Sequence, residues 1–263
     1  MVGGARRAFR RIAHRGARAA IGRMPAAARE VALALAAAAG TGPVVLPGPP
    51  PGAVLVVAPH PDDETIGCGG ALARHVDAGD PVSVLVATSG EASGGGGAGV
   101  GLGATRESEC RAACAALGVP PPMFLRLPDG ALSDHEDRLT AAIRAIDPPP
   151  AVVYAPAVLD PHPDHRAANR ALAAAELTAP VYGYEVWAAA SVDCVLDIGT
   201  TWERKARALD CYPSALSVVD YRVSARGLAA YRGVAAGLGS QGLAEGFVRL
   251  TPADHTAHTR QIG

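Results

Sequence analysis

Beyond residue 52 the chain alternates short runs of branched apolar residues with longer stretches of mixed character. Val54 to Ala58, Val82 to Ala87, Met123 to Leu127 and Val152 to Ala155 are the four clearest runs, each of strand length. Between them, apolar positions recur at helical spacing near Gly70 to Asp77, Thr105 to Leu117 and Ser133 to Ile146, and again from His165 to Glu176 after the fourth run. Ser133, with Glu136 three residues on, has capping-box spacing and is the predicted N-cap of the third helix. Further strands are predicted over Val181 to Trp187 and Val192 to Ile198, and further helices over Glu203 to Asp210 and Ala225 to Val234. Strand and helix in alternation predict an α/β fold, a Rossmann-like, mostly parallel sheet with helices on both faces in a single domain.

The start of the chain has a different character. The segment Gly40 to Gly52 carries prolines at 43, 47, 49, 50 and 51, too few backbone donors for a regular element, and reads as a linker. Upstream, eight arginines from Arg6 to Arg29 precede the first acidic residue, Glu30. Residues 1–45 therefore read as a basic, Arg/Ala-rich extension and proline-rich linker, 46–250 as the principal domain and 251–263 as a polar tail.

Composition narrows the partners. Lys and Arg number 24 against 25 Asp and Glu, a net charge of -1, so the molecule lacks the cationic field that gathers nucleic acid. Five cysteines, odd in number and without CxxC spacing, suggest neither a disulfide framework nor a cysteine zinc site, and a reducing cytoplasm is the expected compartment. No apolar run approaches the roughly 20 residues of a transmembrane helix. Arg6-Arg7 lies too far upstream of the apolar Val31 to Ala39 to act with it as an export signal. The expected partner is a small molecule or glycoconjugate; a homo-oligomer is compatible with the composition.

Chemistry concentrates in two places. Pro59-His60-Pro61-Asp62-Asp63-Glu64 directly follows the first predicted strand, and Asp160-Pro161-His162-Pro163-Asp164-His165 follows the fourth after a short loop. In open α/β sheets ligands gather outside the carboxyl ends of the strands, where both clusters fall. Aspartates capping the following helices would explain one such motif, but caps do not require a histidine in both loops. Zinc accepts imidazole nitrogen and carboxylate oxygen, and three protein ligands leave a fourth position open for catalysis; Fe²⁺ suits the same donors. The flanking prolines stiffen the backbone that bears them.

These residues resemble the PIG-L/LmbE-like zinc-dependent N-deacetylases, whose first signature is similar to (A/P)HPDDE and whose second is similar to HPDH. Weaker similarity lies in Thr88-Ser89-Gly90-Glu91, in Arg106 with Glu107 and Glu109, in Leu127-Pro128-Asp129-Gly130 and in Tyr184-Glu185-Val186-Trp187, so that the likeness spans most of residues 53–250. The resemblance implies His60, Asp63 and His165 as zinc ligands and Asp62 as general base. It further implies His162 at the substrate carbonyl, Asp164 orienting His162, and Arg106 and Asp129 touching substrate. The implied reaction is hydrolytic removal of an N-acetyl or related acyl group from an amino sugar. An amidase for a larger thiol-sugar conjugate and a catalytically silent glycan-binding module are the alternatives.

The Gly94 to Gly103 stretch lacks a P-loop lysine and reads as a flexible loop over the site, not a phosphate cradle. Tyr212-Pro213-Ser214-Ala215 stands where relatives carry an SQ pair. His75 and His135 on predicted helices, and His255 and His258 in the tail, read as non-ligands. Trp187 borders the expected pocket.

Overall fold

The computed structural model describes residues 42–93 and 101–261, together with Met24, Pro25, Ala28, Arg29, Val31 and Ala32. The basic extension as a whole and residues 94–100 of the glycine-rich stretch lie outside the described residues, so neither reading is tested.

The fully buried apolar runs form the middle of the sheet. Strands β1 (Val44–Leu46), β2 (Val54–Ala58), β3 (Val82–Thr88), β4 (Met123–Leu127), β5 (Val152–Pro156), β6 (Val181–Tyr184), β7 (Cys194–Asp197) and β8 (Ala244–Leu250) assemble in the order β1-β7-β8-β6-β5-β2-β3-β4. All pairs are parallel except those of β8, which lies antiparallel between β6 and β7. Every residue of β2 and β5 is buried, as a strand covered on both faces requires.

Alternate side chains enter opposite layers. Val54, Val56 and Ala58 pack into a core with residues of helices α1 (Asp63–Ala78) and α2 (Leu102–Leu117). Leu55 and Val57 face α3 (Glu136–Arg144) and α4 (Pro163–Ala174) on the other side. Helices α5 (Trp202–Leu209), the short α6 (Pro213–Leu216) and α7 (Tyr221–Ala235) follow β7, and α8 (Pro252–Thr259) closes the described chain. No helix among the described residues is long and apolar enough to cross a membrane.

Strand order reverses between β2 and β5: from β2 the chain runs outward through β3 and β4, and from β5 through β6. The parallel register of Val54 with Val152 puts the carboxyl ends of β2 and β5 side by side, and each is followed by one of the His/Asp motifs. The crevice at such a reversal is where ligands bind in open sheets.

Several expectations need correction. The linker contains a strand, because Val44–Leu46 pairs in parallel with β7 at the sheet edge, where prolines on either side cost no ladder bonds. Strand β8 has no counterpart among the predicted elements. The tail is not a solvated end: α8 is capped by Thr251, whose side chain accepts from the Asp254 N–H, and it buries His255 and His258. His255 meets Asn169 Oδ1 at 2.8 Å and His258 meets the Met24 carbonyl at 2.6 Å. Ser133 is not an N-cap. It sits in a 3₁₀ turn, Leu132–His135, and Glu136 pairs with Arg170 instead of completing a capping box. Helix α1 begins seven residues earlier than predicted, inside the first motif itself.

Candidate metal centre and active site

All six residues implied as ligands or catalytic groups come from the turn after β2 and from the loop and first turn that open α4. Asp63 Oδ2 lies 3.2 Å from His60 Nδ1 and 3.2 Å from His165 Nε2. The same oxygen accepts the His60 backbone N–H at 2.9 Å. Two imidazoles from loops on neighbouring strands thus converge on one carboxylate oxygen. Donors held about 2.0–2.1 Å from a tetrahedral zinc ion lie roughly 3.3 Å apart, and each imidazole stands at about that distance from the Asp63 oxygen.

Hydrogen bonding points the same way. His165 is fully buried, and neither of its ring nitrogens has a hydrogen-bond partner although carboxylate oxygens of Asp63 and Asp160 stand 3.2 Å away. Proximity without directional alignment suits ligands arranged about a common ion better than a direct pair. His60, His162 and His165 also offer ring nitrogens within 4.8 Å of one another.

Electrostatics shows what the centre requires. Burial acts to lower the His60 pKa, but Asp129, Asp164 and Asp63 together raise it well above its ordinary value. His165 is likewise pushed up, against burial, to about 9, chiefly by Asp63. Asp63 is held far below the carboxylate range by the two imidazoles, despite its burial. The carboxylates demand positive charge at this point, and a divalent cation bound by neutral imidazoles supplies it. Imidazole nitrogen and carboxylate oxygen, the donors that His60, His165 and Asp63 bring here, are types that zinc and iron(II) accept, and His162 offers a further ring nitrogen within 4.8 Å of those of His60 and His165.

Behind each imidazole stands a carboxylate. Asp164 Oδ2 and Asp129 Oδ1 both lie 3.2 Å from His60 Nε2, and Asp160 Oδ1 lies 3.2 Å from His165 Nδ1. Asp164 is fixed by the N–H groups of Gly130 at 2.8 Å and Leu132 at 3.1 Å. The Asp164 carboxylate lies against His60 and meets His162 only through its backbone N–H, and Asp129, expected at the substrate, lines the cavity while also reaching the His60 imidazole. Asp160, given no role by the sequence, both faces His165 and accepts the His162 and Trp187 backbone N–H groups. The available signal was its place at the head of the second cluster.

Asp62 occupies a backbone conformation that side chains rarely adopt, φ 119 and ψ -28. Such a residue costs on the order of 1–3 kcal/mol unless its surroundings hold it. Here the Asp62 carbonyl accepts from Thr65 and Ile66, and its own N–H donates to Glu64 Oε2 at 3.1 Å. Glu64 is anchored in turn by Thr65 Oγ1 at 2.6 Å and by the Tyr212 hydroxyl. Burial raises the Asp62 pKa to about 8; Arg106 opposes this, while Asp63 and Glu64 add repulsion.

Arg106 is buried and holds Asp62 Oδ2 at 3.0 Å. It also donates to the carbonyls of Pro61 and Gly90 and to Ser93 Oγ. Expected as a substrate contact, it lines the cavity with its guanidinium tied to the candidate base.

His162 is half-buried on the open side. It sits edge-on to His60 at a centroid distance of 4.7 Å and stacks on Trp187 at 5.8 Å. Burial and the neighbouring imidazoles His60 and His165 lower its pKa, which favours the neutral ring. Its Nδ1 accepts the Asp164 backbone N–H at 3.2 Å, so in the neutral ring Nε2 carries the proton and is a donor. His60, Asp62, Asp63, Arg106, Asp129 and His162 all line one cavity of about 640 Å³, with Trp187 and the segment from Ser214 to Tyr221 on its other wall.

Fold and site together define an α/β protein with a His/Asp cation centre at the reversal point of its sheet. Residues 55–176, which hold both motifs, match the model of the PIG-L family, described as GlcNAc-PI de-N-acetylase. Residues 55–176 of the chain therefore carry the domain of this family. A 1D-myo-inositol 2-acetamido-2-deoxy-alpha-D-glucopyranoside deacetylase of Actinosynnema mirum is 33% identical over 155 residues, covering 48% of this chain and 55% of the relative. The chain thus spans about half the length of the curated relatives it matches. Among solved structures, a conserved protein of Thermus thermophilus is 30% identical with a TM-score of 0.64, over 74% of this chain and 93% of that one. The 4-carboxy-2-hydroxymuconate hydratase of Pseudomonas putida is 25% identical with a TM-score of 0.61, over 76% and 96%.

Proposed function

We propose that this protein is a zinc-dependent N-deacetylase that hydrolyses the acetamido group of an N-acetylglucosamine-type conjugate. The observation that carries the reading is the convergence of His60 Nδ1 and His165 Nε2 on Asp63 Oδ2, at 3.2 Å each, in a cavity that Asp62 and His162 share. His60, Asp63 and His165 hold the ion, with iron(II) the alternative that the same donors accept. When bound, the ion supplies Lewis acidity and brings the pKa of a water from 15.7 toward about 7.

The chain's own groups do the rest. Asp62, beside the ligands but not among them, takes the proton from the attacking water and returns it to the departing amine. Arg106 keeps that carboxylate aimed and moderates its basicity. His162 presents Nε2–H toward the acyl oxygen, where negative charge develops; losing one such donor typically costs on the order of 10²–10³ in rate. Asp164, hydrogen-bonded to His60 Nε2, orients that ligand imidazole and fixes its tautomer, while Asp129 and Asp160 place negative charge beside His60 and His165.

The curated relatives are deacetylases of acetamido sugars, which favours amide hydrolysis. The similarity to a hydratase makes addition of water to a carbon–carbon double bond the second reading. Metal-quantified protein assayed for amine release from N-acetylglucosaminides, and for loss of alkene absorbance with unsaturated acids, separates the two. Amine release that disappears in Asp62→Ala supports the proposal, and full activity in that variant refutes it.

A further inference from the structure

The cavity has two unlike ends. The end at the metal centre is polar. The opposite lip is built from Trp187, 52% exposed, and from Val218 and Val219, 66% and 43% exposed, with Tyr221 set edge-on to Trp187 at 6.5 Å. Large apolar side chains left this open around a cavity mark a surface that something apolar covers. At about 640 Å³ the cavity also exceeds what one pyranose with its acetyl group fills.

Charge limits what enters. Among the described residues lining the cavity, Arg106 is the one Lys or Arg, and it is spent on Asp62, Pro61, Gly90 and Ser93. An anionic ligand finds no uncommitted cation at this wall, and its desolvation goes uncompensated. Just beyond the lip, Arg222 is itself committed, to Asp220 at 2.8 and 2.9 Å and to Asp210 at 3.1 Å.

We infer that the cavity takes an uncharged N-acyl amino-sugar conjugate bearing an apolar appendage, which lies along Trp187, Val218, Val219 and Tyr221. The inference rests on the deacetylase reading for its sugar and on the lip for its appendage. The appendage is either a glycosidic aglycone or an extended N-acyl chain, and these share the same chemistry. Trp187 joins the two ends, because its ring stacks on His162 and borders the apolar wall.

The test compares the methyl and hexyl glycosides of N-acetylglucosamine, N-hexanoylglucosamine and N-acetylglucosamine 1-phosphate on metal-loaded protein. Each methylene fully removed from water is worth roughly 3–4-fold. For the five methylenes that the hexyl glycoside adds to the methyl glycoside, or the four that the hexanoyl amide adds to the acetyl, on a half-open lip, we expect kcat/KM to rise at least about tenfold in one arm, which identifies the appendage. The phosphate should be at least about tenfold poorer than the methyl glycoside, as an unpaired anion would be. In V218S/V219S, two exposed positions where folding is not at stake, the hexyl-over-methyl ratio should collapse. The inference is overturned if neither arm gains, if the phosphate is preferred, or if the gain survives V218S/V219S. Should no substrate turn over, quenching of Trp187 fluorescence by the hexyl and methyl glycosides, with W187F as control, decides this inference alone. The missing turnover then counts only against the hydrolase reading.

Discussion

Replacing Asp164 by asparagine tests the most specific geometric finding. In the protein its carboxylate receives His60 Nε2 at 3.2 Å and the Gly130 and Leu132 N–H groups at 2.8 and 3.1 Å. A proton on Nε2, held by an acceptor-only carboxylate, leaves the Nδ1 lone pair free to face Asp63 and an ion. Asparagine keeps an oxygen for the Leu132 N–H, but an amide nitrogen in place of Oδ2 can itself donate to Nε2, favouring the tautomer with Nδ1 protonated, and leaves the Gly130 N–H unpaired. Loss of such a partner typically weakens metal binding 10–100-fold, which is about 1.4–2.8 kcal/mol. Because Asp129 reaches the same nitrogen, D164N should lie toward the lower end, and the double variant D129N/D164N should fall further than the sum of the single effects. Competition with a chromophoric chelator reads the affinity, and the gap in melting temperature between metal-loaded and metal-free protein reads it independently. D164A should in addition lose roughly 1–3 kcal/mol of metal-free stability for the unpaired N–H groups. If D164N binds zinc as tightly as the native protein and loses only kcat, Asp164 acts through His162 as the resemblance implied, and the assignment to His60 is wrong.

Three further outcomes are expected. D62N should retain its metal content and lose on the order of 10²–10⁴ in kcat, as removal of a general base does; a loss of bound metal instead would place Asp62 among the ligands. His255 is fully buried, with its pKa lowered from 6.5 to about 4 chiefly by burial and also by His258, so the unfolded chain binds its proton first. Stability should therefore be complete above pH 6.5 and fall by about 3 kcal/mol between pH 6.5 and 4; urea titrations of H255Q should show that slope removed. Lys205→Met leaves Glu245 buried without its 2.6 Å partner, and should cost about 3–5 kcal/mol of unfolding free energy; an unchanged melting curve would show the pair to be dispensable.

The central strands were legible because nothing polar interrupts them: β2 and β5 are covered on both faces and read as unbroken apolar runs. Strand β8 was hidden by its own contents. It carries Glu245, which is buried because it accepts the Gly70 and Ala71 N–H groups and the Lys205 ammonium. It also carries Gly246, where a Cβ would come within 2.9 Å of Glu185 Oε2. Both residues argue against a strand until their partners are seen. Helix α8, by contrast, carried a legible start in Thr251-Pro252 with Asp254, a capping residue followed by proline at the first helical position.

The site divides along the same line. That both motifs meet follows from topology alone: parallel neighbours roughly 4.8 Å apart deliver whatever follows their carboxyl ends to one edge, however many residues intervene. His60 and Asp164 touch across 104 residues for this reason. Which carboxylate serves which imidazole follows instead from the first turns of α1 and α4 and from side-chain rotamers, which residue identity does not encode. His162 and Asp164 are two apart, and their contact runs through the Asp164 backbone N–H as the helix cap, which turns the carboxylate away toward His60. Neighbours in sequence at a helix entry thus make poor side-chain partners, and the orienting carboxylate of each ligand is better sought on the opposite loop or at the head of its own.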